Sequence, residues 1–271
     1  EWKFSYDELL NLWFLGSLLV GIGSLPAGWI SDRWSRSGMI AIMFLGLGIS
    51  SVLCGLSGNK LSLFISLSLL GLFCSIYHPA GISWIVNTSK ETGRALGFNN
   101  IFGGVGIGLG AFFAGILIDQ INWQAAFIFP GIISILTGLC LSYHLKSGKI
   151  SLTNIKSEQF RDNPEKNQML KIAIIMLVSI TCLSFVYQIL QTSLPKAIDI
   201  RLSNSLNLST SEIGYIVAAI YIVSGLMNYI GGILTDKYSE KVIYAIGIIG
   251  QGALLLFIVS LSNYWLIVIS L

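Results

Sequence analysis

Long apolar runs separated by short polar turns set the pattern of the chain. Each run reaches the roughly 20 residues that a helix needs to cross a bilayer. The runs predict membrane helices over 9–31, 38–58, 61–87, 93–118, 123–145, 171–194, 210–234 and 241–261, and the start of a ninth helix near 263. The segment 146–170 breaks the pattern, because it is long, polar and basic.

This polar segment divides the predicted helices into two groups. We interpret 1–145 as an N-terminal helical bundle, 146–170 as a cytoplasmic linker and 171–271 as a C-terminal helical bundle. The predicted fold class is therefore an all-α membrane protein with two bundles. The sequence does not begin with Met and stops inside an apolar run, so we expect it to be a fragment of a longer protein.

The composition supports lipid as the solvent of these helices. The chain is 54% hydrophobic and 11% charged, whereas soluble domains carry about 25% charged residues. The four cysteines stand singly in apolar runs and are interpreted as small buried hydrophobic residues. The sequence contains no recognisable nucleotide loop, metal cluster or catalytic triad. We therefore expect no enzyme activity, no cofactor, no metal and no nucleic-acid partner.

The charged residues predict the orientation of the helices. If the turn around Asp32 is cytoplasmic, twelve of the 16 Lys and Arg residues lie on the cytoplasmic side, as the positive-inside rule requires. The 13 acidic residues all lie near predicted helix ends or in connections. No carboxylate therefore lies near the middle of a predicted helix.

Two charged turns recur in the chain, each at the end of an apolar run. Asp32 recurs as Asp236, and Glu8 as Glu212 at the same shift of 204 residues. The turns contain Gly28, Asp32, Arg33 and Arg36 in the first copy, and Gly232, Asp236, Lys237 and Lys241 in the second. Weak internal symmetry of this kind is typical of transporters built from two similar halves.

The two turns resemble the signature loop of the major facilitator superfamily, Gly-x-x-x-Asp-(Arg/Lys)-x-Gly-Arg-(Arg/Lys). Ser35 and Ser239 stand at the usual glycine position. The segments 93–97 and 123–127 resemble the starts of the fifth and sixth helices of that family. The resemblance implies a two-bundle transporter with 12 helices, of which this chain holds about helices 2 to 10, without the first and the last helices.

The resemblance also implies that the charged turns act as conformational latches. Asp32 can accept hydrogen bonds and face the N-terminus of a neighbouring helix. Arg33 and Arg36 can pair with Asp32 or with lipid phosphates. The alternative interpretation is that these charges only set the topology.

The residues expected to line a substrate cavity lie on the fourth and seventh helices, which face the centre in this family. They are Tyr77, His78, Tyr187, Gln188 and Gln191. Pro79 is predicted to kink or loosen the fourth helix. The alternative is that His78 is neutral and bonds a carbonyl freed by Pro79, or that these side chains bond neighbouring helices.

The fifth helix contains a glycine run that resembles the antiporter motif of the family. Gly106 and Gly110 have the spacing of a small-xxx-small helix contact, and Gly115 follows them. Ala111 replaces the proline of the motif. Tight helix packing explains these glycines equally well.

The sequence therefore predicts a secondary active transporter, a multi-pass protein of the plasma (inner) membrane. It would move a small solute by alternating access. The antiporter-like glycine run favours proton-coupled efflux as the direction of transport. The proton-coupling group would then be His78, lie outside this sequence or be absent. The alternatives are an uptake permease of the same fold and a non-transporting membrane sensor. The expected partners are the solute, protons and membrane lipid, and we expect a monomer.

Overall fold

The computed structural model describes residues 4–149, 166–206 and 208–260, which form helices and the short connections between them. The elements are α1 (Tyr6–Arg33), α2 (Arg36–Gly55), α3 (Lys60–Cys74), a π-helical turn (Tyr77–Ile82), α4 (Ser83–Thr88), α5 (Thr92–Gln120), α6 (Ala125–Lys146), α7 (Lys166–Leu206), α8 (Thr210–Lys237) and α9 (Glu240–Ser260). Within the described residues there is no strand. Seven spans there are long and apolar enough to cross a membrane, with α3, the π turn and α4 counted as one. The predicted all-α membrane fold is confirmed.

The largest difference from the predicted helices is at α7. The sequence predicts a helix over 171–194, because proline normally ends a helix, but α7 continues through Pro195 to Leu206. Leu194 and Ile198 flank this proline, are buried and pack against α8. The predicted linker 146–170 falls mostly in residues 150–165, and the ninth predicted helix begins near 263; both segments lie outside the described residues.

The internal repeat extends to the helix boundaries. The 28 residues of α1 and the 28 residues of α8 begin and end at positions related by the same shift as Asp32 and Asp236. Both helices begin with a capping box, in which Ser5 and Glu8, or Ser209 and Glu212, exchange hydrogen bonds between side chain and backbone. The repeated glutamates noticed in the sequence are therefore helix caps.

Glycines bring the helices of the first bundle into close contact. Gly48 of α2 and Gly131 of α6 lie so close that a Cβ on either would meet the carbonyl oxygen of the other, at 2.6 and 2.9 Å. A Cβ on Gly71 of α3 would collide with the backbone of Gly16 in α1. Small residues that let helix backbones approach in this way are the usual basis of helix packing in membranes.

Polar side chains add hydrogen bonds between α2 and α6. The Ser51 hydroxyl donates to the Phe127 carbonyl oxygen at 2.7 Å, and the Ser134 hydroxyl donates to the Phe44 carbonyl oxygen at 2.7 Å. These bonds run in opposite directions across the same pair of helices. Because they fix both the spacing and the register of α2 and α6, this part of the bundle should behave as a rigid body.

We predict that Gly71→Val destabilises the protein, because the new side chain would force α3 away from the backbone of α1. Overpacking of this kind costs about 1–3 kcal/mol. The melting temperature of the detergent-solubilised protein should fall by several degrees. Gly58→Val is the matched control, since no described heavy atom lies within 4 Å of a Cβ at that position. Equal melting temperatures for the two variants would contradict the packing argument.

Candidate functional site

The candidate site begins at the seam between α5 and α8, which run antiparallel. Here "seam" means the contact between these two helices along their length. Near its middle, a Cβ on Gly104 would lie 2.6 Å from the Tyr221 carbonyl oxygen and 2.7 Å from the Gly225 Cα atom. Gly108 packs in the same way against Ala218. Because α5 belongs to the first predicted bundle and α8 to the second, the seam is a contact between the two predicted bundles.

Asp236 connects the two helices at the end of the seam that the charge pattern predicts to be cytoplasmic, called here the inner end. Its Oδ1 accepts from the Gly93 backbone N–H at 2.9 Å, and its Oδ2 from the Arg94 backbone N–H at 2.7 Å. These are the second and third residues of α5, whose own N-cap residue, Glu91, makes no capping side-chain bond. Asp236 of α8 therefore caps α5, a helix of the other predicted bundle, at a terminus where a negative charge is favoured.

Close backbone approach makes this cap possible. A Cβ on Gly93 would lie 2.6 Å from both the Asp236 Oδ1 atom and the Thr235 hydroxyl oxygen. Gly232 approaches the backbone of Gly93 and Gly97 from the other side. Around this contact, Arg94 forms an ion pair with Glu91 at 3.3 Å, and both side chains are exposed. Lys237 and Lys241 are also exposed.

The first charged turn has a different structure from the second. Arg36 is buried and forms an ion pair with Asp32 at 3.1 Å, while its Nε and Nη1 atoms have no hydrogen-bond partner in the described part of the chain. Arg33 instead lies over the Trp29 ring, with its Cζ atom 4.1 Å from the ring centroid. Gly28 lies beside Pro79, because a Cβ added to Gly28 would be 3.2 Å from the Pro79 Cβ atom.

Ser35, which stands at the usual glycine position of the signature loop, is the N-cap of α2. Its hydroxyl oxygen accepts from the Gly38 backbone N–H at 3.0 Å and lies 3.2 Å from the Ser37 hydroxyl oxygen. Both serines are buried. A serine is one of the preferred N-cap residues, so this substitution stabilises the start of α2.

The cavity candidates on the fourth membrane span lie at the bend around Pro79. The loosening expected there takes the form of the π turn Tyr77–Ile82. The Tyr77 hydroxyl donates to the Asn99 Oδ1 atom of α5 at 2.8 Å. His78 is exposed, and its ring meets the Tyr77 ring edge-on with centroids 5.3 Å apart. π-helical turns frequently occur at functional sites.

The cavity candidates on α7 form a separate group. Tyr187 is 52% exposed, and Gln191 is half-buried. The Gln188 Nε2 atom lies 3.4 Å from the hydroxyl oxygen of Thr192, one turn further along the helix. Among the described residues, no hydrogen bond connects these side chains with Tyr77 or His78. The structure thus brings the candidates together within each helix and not between the two helices.

The glycines of α5 divide into two faces. Gly115 packs against the seam, where a Cβ would lie 2.8 Å from the Ser211 Cα atom. Gly106 and Gly110 have no described heavy atom within 4 Å of an added Cβ. The seam therefore uses Gly104 and Gly108, which have the same spacing.

The sequence did not specify the partners in several contacts between helices. Among them are the hydrogen bonds of Tyr77 with Asn99, of Tyr6 with the Thr192 carbonyl, and of Asp119 with the Ser211 backbone N–H. The last could have been suspected, because Asp119 stands at the end of its helix as Asp236 does. Hydropathy alone does not show which helix such a residue meets.

Comparison with known proteins gives consistent similarities. An uncharacterized MFS-type transporter of Methanocaldococcus jannaschii is 25% identical over 257 residues, which cover 90% of this chain and 61% of that protein. The puromycin resistance protein pur8 of Streptomyces alboniger is 30% identical over 118 residues, covering 42% of this chain and 22% of that protein. The riboflavin transporter RibZ of Clostridioides difficile is 27% identical over 127 residues, covering 45% and 28%. The chain spans less than two thirds of the length of each relative.

The family model of the Major Facilitator Superfamily matches residues 2–203 and 180–271. Together these matches cover nearly the whole chain. With the seven helices of membrane-spanning length, they identify a multi-pass membrane protein, of a family typical of the plasma membrane. The chain belongs to the Major Facilitator Superfamily.

Proposed function

We propose that the protein transports a small solute across the membrane by alternating access, with the bundles 1–145 and 171–271 moving against each other along the seam. The observation that carries this proposal is the cap of α5 by Asp236, a bond between the bundles. Family membership and the transporter names of relatives support solute transport in general.

The Asp236 contact has the properties of a latch for the inner end. It consists of two hydrogen bonds to a charged group, which are stronger than neutral ones. Both acceptors belong to one exposed side chain, so water can replace the backbone N–H groups when the bundles separate. The contact therefore stabilises the closed inner end without making its opening prohibitive.

The seam itself suits a reversible motion. Its middle consists of glycine and alanine contacts, such as Gly104 with Gly225 and Gly108 with Ala218. At these positions the helix backbones are in direct contact, and larger side chains such as Ile107 and Tyr221 pack beside them. We infer that α5 and α8 tilt against each other around this region.

We further propose that the solute binds between Tyr77 and His78 on one bundle and Tyr187, Gln188 and Gln191 on the other. These side chains are uncharged or weakly basic, which disfavours a strongly cationic solute. The name of the puromycin resistance protein and the antiporter-like glycine run favour efflux as the direction. Proton exchange is the proposed driving force, with His78 as the residue that would carry the proton.

Asp236→Asn is expected to open the inner end. The amide nitrogen would face one of the two backbone N–H groups, and the negative charge at the helix N-terminus would be lost. The ratio of closed to open inner ends should fall on the order of tenfold. Spin labels at Lys146 and Tyr244, which are exposed, would report longer distances by pulsed electron resonance.

The matched control for this variant is Glu240→Gln. It removes an exposed acid from the first turn of α9, close in sequence to Asp236, but not from the α5 cap. If the two variants give the same distance distributions, Asp236 sets topology only and the latch proposal is wrong.

Solute flux is the direct test of transport. The protein in proteoliposomes should move at least one member of a solute panel that includes puromycin and riboflavin, the compounds named for the two relatives. A pH gradient should accelerate the flux if protons are exchanged. If a thermal unfolding transition shows that the protein is folded and no member of a broad panel is moved, the transport proposal is wrong.

His78→Gln should separate proton coupling from solute movement. Glutamine keeps hydrogen-bonding capacity but cannot titrate, so downhill flux should persist while its acceleration by a pH gradient disappears. His144, which lies in the last turn of α6, gives the control variant His144→Gln, and that variant should keep the response. If downhill flux falls in His78→Gln while a pH gradient still accelerates the remaining flux, His78 contributes to solute binding and not to proton coupling.

A further inference from the structure

We propose that Asp119 forms a second latch at the other end of the seam, called the outer end, with the opposite effect on access. This inference rests on the proposed motion of the two bundles. The Asp119 Oδ2 atom accepts a hydrogen bond from the Ser211 backbone N–H at 2.8 Å. Asp119 is on α5 and Ser211 on α8, so this bond also connects the bundles.

The two ends of the seam are built in the same way. Asp236 is the next-to-last residue of α8, and Asp119 is the next-to-last residue of α5. Each accepts from the second residue of the other helix, Gly93 or Ser211. In an antiparallel pair, each helix thus places its last carboxylate on the positive N-terminus of its partner.

Glycines permit the close approach at the outer end, as they do at the inner end. A Cβ on Gly214 of α8 would lie 2.6 Å from the Ala111 carbonyl oxygen, and a Cβ on Gly115 of α5 would lie 2.9 Å from the Thr210 carbonyl oxygen. The corresponding pair at the inner end is Gly93 and Gly232. Larger side chains would move the carboxylate out of reach of the helix N-terminus.

The Asp119 bond is additional to the cap that α8 already has. The Ser209 hydroxyl oxygen accepts from the Glu212 N–H, and the Ser209 carbonyl oxygen accepts from the Ile213 N–H. The Ser211 N–H is one of the first-turn donors that these bonds leave without a partner. Asp119 satisfies it, so separation of the outer end returns this N–H to water.

A second bond between the bundles lies at the outer end. The Tyr6 hydroxyl, on the first residue of α1, donates to the Thr192 carbonyl oxygen of α7 at 3.0 Å. The outer end is therefore held by α1 with α7 as well as by α5 with α8. The inner end has the two bonds from Asp236, so at least two hydrogen bonds connect the bundles at each end.

Both latches are closed in this structure, and the length of the seam lets a tilt open one end at a time. From residue 93 to residue 119, α5 extends about 39 Å, so each end lies about 20 Å from the middle. A tilt of about 10° around the middle moves each end by about 3.5 Å, which is enough to break a hydrogen bond. Opening one end therefore leaves the other end closed, and the bonds at that end stabilise the state.

The test measures both ends in the same protein in lipid nanodiscs. Spin labels at Leu56 and Leu256, both exposed, report the outer end, and labels at Lys146 and Tyr244 report the inner end. Asp119→Asn should raise the ratio of open to closed outer ends roughly tenfold. Asp236→Asn should raise the same ratio for the inner end. The double variant should return both distance distributions towards those of the unsubstituted protein.

Two further variants make the result decisive. Asp7→Asn removes an exposed acid from the first turn of α1, which is also at the outer end, and should change neither distance. Tyr6→Phe removes the other outer bond and keeps the ring, so it should lengthen the outer distance in the same direction as Asp119→Asn. Tyr6→Phe therefore still tests the outer latch if Asp119→Asn does not fold.

The outcomes separate this inference from the proposed function. If Asp236→Asn opens the inner end while neither Asp119→Asn nor Tyr6→Phe changes the outer distance, the second latch is overturned and the inner latch stands. If no variant changes either distance, the proposed motion itself fails. An outer distance that lengthens in both outer variants, but not in Asp7→Asn, supports the second latch.

Discussion

The structure depends on one constraint, the need of backbone N–H groups at helix starts for hydrogen-bond partners. In a bilayer an unsatisfied N–H costs several kcal/mol, so each helix must begin at a cap or at the membrane surface. Most starts described here have a cap nearby in sequence, such as Ser35 for α2. The start of α5 has no such cap and uses Asp236 from α8. A local requirement of one helix thereby becomes a bond between two bundles.

The contrast between bundle and seam follows from where polar groups lie. Inside the first bundle, hydrogen bonds join α2 and α6 at two heights, from Ser51 to the first turn of α6 and from Ser134 to the middle of α2. In the described seam between α5 and α8, side-chain hydrogen bonds occur at the ends, and the contacts between them are apolar and closest at the glycines. A tilt of α2 against α6 would have to strain a bond away from the pivot, whereas a tilt of the seam breaks the bonds of one end only. The first arrangement suits a rigid unit and the second suits a moving contact.

Hydropathy predicted the seven described spans of membrane-crossing length and both charged turns, because those depend on local chemistry and length. It did not predict neighbours, since residues that face lipid and residues that face another helix are equally apolar. The glycines of α5 illustrate the limit. Gly106 and Gly110 have the same spacing as Gly104 and Gly108, yet only the second pair packs in the described seam. The continuation of α7 past Pro195 likewise depends on tertiary packing against α8.

The two copies of the charged turn have diverged in a way that fits different tasks. Buried Arg36 forms an ion pair with Asp32 at the capped start of α2, and Gly28 lies against Pro79 at the bend. A buried charge in such surroundings is costly to move, so the first turn is a fixed corner beside Tyr77. Tyr77 in turn bonds to α5, the helix that Asp236 caps. Contacts therefore run without a break from the exposed latch, through α5, to the bend that carries the cavity candidates. A tilt of α5 released at Asp236 must either break the Tyr77 bond or move that bend.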